Sequence, residues 1–159
     1  MNWRGASCSI ENVVRLAHVT TESAHVKPKK RIEVVAAALF NGTEVLAAQR
    51  GEGMSLAGMW EFPGGKIESG ESPREALVRE LEEELHCQAK IGDYVNTTEY
   101  EYDFGIVSLA TFICTVEGSA PIATEHAEIR WVPVVELPSL NWAPADIPAV
   151  ERIVELLAS

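Results

Sequence analysis

Seven glutamates crowd one short stretch of the chain: Glu68, Glu71, Glu75, Glu80, Glu82, Glu83 and Glu84. On a helix, residues three and four apart share a face. Glu80, Glu83 and Glu84 then project together, while Glu82 points roughly the opposite way, into solvent. Three carboxylates on one face repel one another, and Arg74 and Arg79 relieve one each. A run of charge usually marks a solvated face. Here the spacing also suits a hard divalent cation, which takes oxygen ligands and completes its shell with water and substrate phosphates. The segment before the helix favours the cation. Gly64 and Gly65 let backbone approach a ligand without an intervening Cβ, and Lys66 adds a positive charge. A glycine turn, a lysine and a carboxylate-faced helix together suit a phosphate chain carried on metal ions.

The elements that must hold these groups are legible around them. Ser72 is a good N-cap, Pro73 fits the first helical position and Glu75 completes a capping box. Leu77, Leu81 and Leu85 recur every four residues as a buried stripe, and the helix ends near His86. Ile32 to Phe40 has the β-branched, apolar content of a buried strand. Asn41-Gly42 signals a hairpin into a partner strand at Val45 to Arg50. Gly51 to Gly58 is a loop, and Met59 to Pro63 is a short extended piece. Gln88 to Tyr102 and Ile106 to Val116 form strands joined by a turn at Asp103 to Gly105. Ile129 to Val132 is a further strand and Val134 to Leu137 a helical turn. Asp146 opens a last amphipathic helix with Ile147, Val150, Val154 and Leu157 on one side. The fold class expected is α/β, a mixed sheet between helices.

The pattern Gly65-x5-Glu71-x7-Arg79-Glu80-Leu81-x-Glu83-Glu84 resembles the Nudix box, the signature of the Nudix hydrolases. Its fixed spacing over Gly65 to Cys87 makes it a specific signal. Trp60-Glu61-Phe62-Pro63-Gly64-Gly65-Lys66-Ile67-Glu68 resembles the MutT-type branch. The resemblance spans Ile32 to Leu157 and implies the Nudix fold, a mixed β-sheet sandwiched between α-helices. It implies Mg²⁺ as cofactor, with Mn²⁺ able to substitute, held by Glu80, Glu83, Glu84 and the Gly64 carbonyl. Glu71 and Arg79 are expected to form an ion pair pinning the loop to the helix. Arg50 is expected at the phosphates or ribose, beside Lys66. Glu125, six residues before Trp131, matches a MutT-type loop glutamate that is a further ligand or the base, and Glu128 competes for that role. The departure from the pattern is His86, where the family has glycine. Histidine reaches the left-handed region more readily than most residues, so a helix cap is expected and no part in the chemistry.

The resemblance implies attack of water within a triphosphate, giving a nucleoside monophosphate and pyrophosphate. The tail Pro144-Ala145-Asp146-Ile147-Pro148 resembles the bacterial CTP pyrophosphohydrolase subgroup, which acts on cytidine, modified pyrimidine and oxidised guanine nucleotides. Where MutT-type enzymes carry a base-reading asparagine, this chain has Asp146. Ionised, it only accepts hydrogen bonds, which matches a cytosine amino group and also the N1–H or N2–H₂ of guanine, but not guanine O6. Asp146 is equally a good N-cap, and the two roles are compatible. Tyr102, Phe104, Trp142 and Met54 are candidates for stacking on the base and, equally, for core or surface. Sanitation of 8-oxo-dGTP and hydrolysis of ADP-ribose or another nucleoside diphosphate derivative are the competing reactions. A nucleotide-binding module without catalysis is disfavoured, because such modules lose box carboxylates.

Composition bounds the rest. At 159 residues the chain fits one domain, with 32–159 expected as the catalytic unit and 1–31 as an extension. A short amphipathic helix is expected near Ile10 to Val19, and the basic run Lys27 to Arg31 is expected to be a solvated flank. A net charge of −11 argues against a nucleic-acid polymer as partner. Val34 to Phe40 is too short to span a membrane. Cys8, Cys87 and Cys114 form no disulfide framework, so a reducing cytoplasm is expected. A small nucleotide is the expected partner, with the chain monomeric or homodimeric.

Overall fold

The computed structural model describes residues 28–158. The expected helix near Ile10 to Val19 lies outside them. The chain divides into two compact units, Met1–Lys30 and Arg31–Ser159, and the elements of the described residues belong to the second. In order they are β1 (Arg31–Asn41), β2 (Glu44–Gln49), β3 (Trp60–Glu61), β4 (Gly64–Lys66), α1 (Pro73–Leu85), β5 (Gln88–Tyr102), β6 (Gly105–Glu117), β7 (Glu128–Pro133), 3-10 turns at Val134–Ser139 and Pro144–Asp146, and α2 (Ile147–Ala158).

β1 is the spine of the sheet. Val35, Ala36, Ala37, Ala38 and Leu39 are all buried, because both faces of the strand are covered. Val35, Ala37 and Leu39 pack with Leu77, Leu81 and Leu85 of α1. Ala36 and Ala38, pointing the other way, pack with Ala149, Val150 and Ile153 of α2. The period of two in a strand assigns alternate residues to opposite layers. Each buried leucine of the α1 stripe contributes roughly 2 kcal/mol of apolar transfer.

One edge of β1 runs parallel to β6 over ten residue pairs, from Arg31↔Ile106 to Phe40↔Thr115. The other edge is shared. Phe40 and Asn41 pair with β2, while Val34, Val35 and Ala36 pair with β4. Between them the Ala37 N–H donates to the Pro63 carbonyl at 2.8 Å. β2 carries β3 and β7 on its two sides, and β5 closes the far edge against β6. The sheet therefore parts along β1, and the segment 60–66 bridges the parting. This geometry seats the site.

Four expectations change. Met59 to Pro63 is a strand only at Trp60–Glu61. Gly64 and Gly65, expected as a turn, form a strand with Lys66, because the free edge of β1 supplies its partner. The hairpin turn is Gly42-Thr43, one residue later than expected, with Asn41 paired to Glu44. In α2 the buried face is Ala149, Val150 and Ile153, while Ile147 and Leu157 are 40% and 50% exposed. The 3-10 turn before α2 sets that phase. Arg31, from the basic run, is drawn into ion pairs with Glu33 and Glu99. Cys87 and Cys114 are buried free thiols. Among the described residues no helix is long and apolar enough to cross a membrane.

Candidate active site

α1 starts where its sequence places it. Ser72 Oγ accepts from the Glu75 N–H at 3.1 Å, and Glu75 Oε1 accepts from the Ser72 N–H at 2.8 Å. It stops at His86, which takes the left-handed conformation (φ 49°, ψ 42°) and donates its N–H to the Glu82 carbonyl. Glu82 is exposed. Between these caps, the carboxylate face is organised by one arginine. Arg79 donates to both oxygens of Glu71, at 2.6 and 2.9 Å, and to the Lys66 carbonyl at 3.0 Å. Its Nη1 reaches Glu80 at 2.9 Å and Glu83 at 3.3 Å. The Arg79 fork holds the Glu71 carboxyl down at about 2, and the Glu68 N–H assists. Arg79 thus joins loop, strand β4 and helix in one network.

Gly64 and Gly65 are fixed by contact. A Cβ at Gly64 would stand 1.9 Å from the Val35 carbonyl oxygen, and one at Gly65 would meet the Glu80 carboxylate. Glu84 lies deeper. Its Oε1 is buried without a hydrogen-bond partner. Burial pushes its carboxyl up to about 7; His126 opposes this, and the charges of Glu80, Glu125 and Glu61 add to it. Burial also raises Glu80, against the pull of Arg79. A buried oxygen with no donor, among carboxylates that raise one another, fits a hard cation. Among the described residues no three acidic, imidazole or thiol side chains converge as a finished metal site. Arg79 engages one oxygen each of Glu80 and Glu83, which leaves the second oxygen of each able to accept a cation.

Beside the helix lies a cleft of about 390 Å³. Arg50, Lys66, Glu61, Glu84, Tyr102, Phe104 and Asp146 line it. Arg50 is held rather than free: Nη1 donates to Glu61 at 2.7 Å, and Nη2 and Nε donate to Ser55. Tyr102 stacks on Phe104 at 5.1 Å with rings 7° from parallel, and its hydroxyl accepts from the Ala145 N–H at 2.8 Å. Phe104 is half exposed. Met54 also lines the cleft. Trp142 does not: it is buried against Phe62 at 4.8 Å, with its indole N–H on the Leu137 carbonyl.

Asp146 ends the 3-10 turn and is 5% exposed. Its Oδ1 accepts from the Phe62 N–H at 3.1 Å, so it ties the turn before α2 to the residue after β3 instead of capping α2. Burial pushes its carboxyl well above the ordinary value, and the Glu61 charge adds to this. The shift favours the protonated form, which carries a donor beside its acceptor, over the ionised acceptor expected from the sequence.

Of the two loop glutamates, Glu125 acts electrostatically on Glu80 and Glu84. Glu128 pairs with Arg130 at 3.1 Å on β7. Sequence reasoning gave no role to Glu61 and His126. Glu61 Oε2 meets His126 Nε2 at 2.8 Å, and that side chain is 1% exposed. Burial alone would depress the imidazole; the Glu61 hydrogen bond and the Glu61 and Glu84 charges outweigh it. The available signal was a charged residue between two buried aromatics, Trp60 and Phe62.

A mixed sheet between helices, with a capped carboxylate helix facing a glycine strand, defines a class of metal-assisted hydrolases. The NUDIX domain profile matches residues 29–153. CTP pyrophosphohydrolase of Escherichia coli (strain K12) is 42% identical over 131 residues, 82% of this chain and 96% of that protein. The 8-oxo-dGTP diphosphatase of Haemophilus influenzae is 33% identical over 126 residues, 79% of this chain and 93% of that protein. The solution structure of MutT from methicillin-resistant Staphylococcus aureus 252 superposes with a TM-score of 0.68 at 54% identity, covering 80% of this chain and 98% of that one. The chain belongs to the Nudix family. It is a Nudix hydrolase, an enzyme of phosphoanhydride bonds, and the family generally needs a divalent metal.

Proposed function

We propose that the chain is a Mg²⁺-dependent nucleoside triphosphate pyrophosphohydrolase of the nucleotide pool, acting on cytidine or modified nucleotides. The reaction is nucleoside triphosphate plus water to nucleoside monophosphate plus pyrophosphate. The observation that carries the reading is Glu84 Oε1, a buried oxygen without a donor on a residue that lines the cleft. Glu80, Glu83, Glu84 and the Gly64 carbonyl would hold the cation, all hard oxygen donors. When bound, it supplies neutralisation of phosphate charge and a more acidic water. Glu125 takes the proton of the attacking water, as ligand-side base. Arg50, pre-set by Glu61 and Ser55, and Lys66 steady the phosphates, and positioning supplies most of the remaining catalysis. Asp146 reads the base while Tyr102 and Phe104 offer a stacking surface. The 42% identity to a CTP pyrophosphohydrolase supports the substrate class.

The burial of Asp146, which favours its protonated form, supports a second substrate alongside the first. An acid offering O–H and C=O together fits the N3 and N4 edge of cytosine, and equally the O6 and N1 edge of an oxidised guanine. A nucleotide panel with product analysis tests the reading. CTP, dCTP or 8-oxo-dGTP should yield monophosphate and pyrophosphate with Mg²⁺ and stall with chelator. Faster turnover of ADP-ribose than of every triphosphate would overturn it.

A further inference from the structure

Glu125 is exposed, and among the described residues it makes no hydrogen bond of its own. A free glutamate loses rotamer entropy when it is fixed, so its aim must come from the backbone beneath it. That backbone is tied on both sides to different walls of the site. Before it, Thr124 Oγ1 donates to the Glu84 carbonyl and the Ile122 N–H donates to the Leu85 carbonyl at 2.9 Å, both at the end of α1. After it, the Ala127 N–H donates to the Gln49 carbonyl at 2.9 Å, and His126 reaches Glu61.

His126 is an expensive choice for that place. Its Nε2–H donates to Glu61, which leaves Nδ1 buried and without a partner. An unsatisfied buried polar atom costs about 1–3 kcal/mol, which an apolar side chain would avoid. Glu61 does not need the histidine, since Arg50 already holds its other oxygen. What the contact adds is a fixed link between the loop of Glu125 and the strand that precedes Gly64.

We propose that His126 is a positioning residue for Glu125. Its bond to Glu61, with the Thr124 bond to the Glu84 carbonyl, fixes the backbone on either side of Glu125 and presents that carboxylate to Glu80 and Glu84. The proposal rests on the reading of Glu125 as the loop carboxylate of the reaction.

A double-mutant cycle on the full chain tests it, with Glu125→Gln, His126→Ala and the pair. A misplaced group costs up to ~100-fold, so His126→Ala should lower kcat roughly 10- to 100-fold with little change in KM. His126→Gln, whose amide still reaches Glu61, should recover part of the loss. The pair should be no slower than Glu125→Gln alone, the non-additivity of residues acting through one group. In metal-free protein, hydrogen exchange at the Ile122 and Ala127 amides should quicken in His126→Ala and in Thr124→Val, but not in Glu125→Gln. If His126→Ala does not fold, Thr124→Val and His126→Gln carry the same cycle. Additive losses, or full kcat in His126→Ala when Glu125→Gln is crippled, would overturn the positioning role alone. Full kcat in Glu125→Gln would remove Glu125 from the chemistry and the proposal with it.

Discussion

The Cβ that Gly65 lacks would stand 2.4 Å from the carboxyl carbon of Glu80. Glycine at 65 therefore leaves the Glu80 carboxylate, fifteen positions later, room to lie against β4. Gly65→Ala should push Glu80 off its place while leaving the Leu77, Leu81 and Leu85 core untouched. The expected outcome is a fall in kcat of order ~100-fold, the cost of misplacing a catalytic group, with a melting temperature close to that of the parent. Steady-state kinetics beside a thermal melt check both halves; equal loss of stability and rate would point to general unfolding instead.

Glu84 couples the site to pH. Its folded value is about 7 against an ordinary 4.5, so between those limits the folded protein holds a proton that the unfolded chain releases. Folding stability of the metal-free protein should therefore fall as pH rises from about 4.5 through about 7. One such group gives a slope of at most about 1.4 kcal/mol per pH unit. Glu84→Gln should flatten the slope, and urea melts at a series of pH values measure it. A cation favours the ionised form, so its binding should release a proton and weaken as pH falls below 7.

The Glu71–Arg79 pair carries the opposite sign. Glu71 is held at about 2, so its contribution is complete above the ordinary carboxylate value and is lost as pH falls toward 2. Glu71→Gln should remove that acid-side loss. Arg79→Lys keeps the charge but not the fork that reaches Glu71, the Lys66 carbonyl and Glu80 together. A lysine at such a site is not conservative. The expected outcome is a kcat lowered about tenfold or more, with the helix intact by circular dichroism.

How far these features were legible depends on how local they are. The capping box of α1 spans Ser72 to Glu75, and its leucine stripe repeats within two turns, so both stand in the sequence. β4 does not, because Gly-Gly-Lys has no intrinsic strand preference. It becomes a strand only because β1 leaves an edge beside it. The clustering of Glu80, Glu83 and Glu84 followed from helical spacing, whereas the Arg79 bonds that engage Glu80 and Glu83 depend on rotamers. Glu61 and His126 are 65 residues apart, and no pattern of neighbours announces the bond. Asp146 was legible as a helix-start residue; its bond to Phe62 crosses 84 residues and draws the carboxylate away from the cap.

That bond leads to the prediction about the base. Asp146 is buried and its carboxyl is raised well above the ordinary value, which favours the protonated form, a donor beside an acceptor. Raising the pH should ionise it, remove the donor, and weaken recognition of both the cytosine N3 and the guanine O6. Asparagine offers one donor and one acceptor at every pH. Asp146→Asn should therefore keep both substrate types while losing the alkaline decline in kcat/KM. Asp146→Leu should lose both hydrogen bonds and the Phe62 tie, with kcat/KM falling at least ~10-fold, since stranded base edges cost 1–3 kcal/mol each. Profiles of kcat/KM for CTP and 8-oxo-dGTP between pH 6 and about 9.5, in parent and both variants, decide it. Identical profiles in parent and Asp146→Asn would mean that no proton at this carboxyl takes part in reading the base.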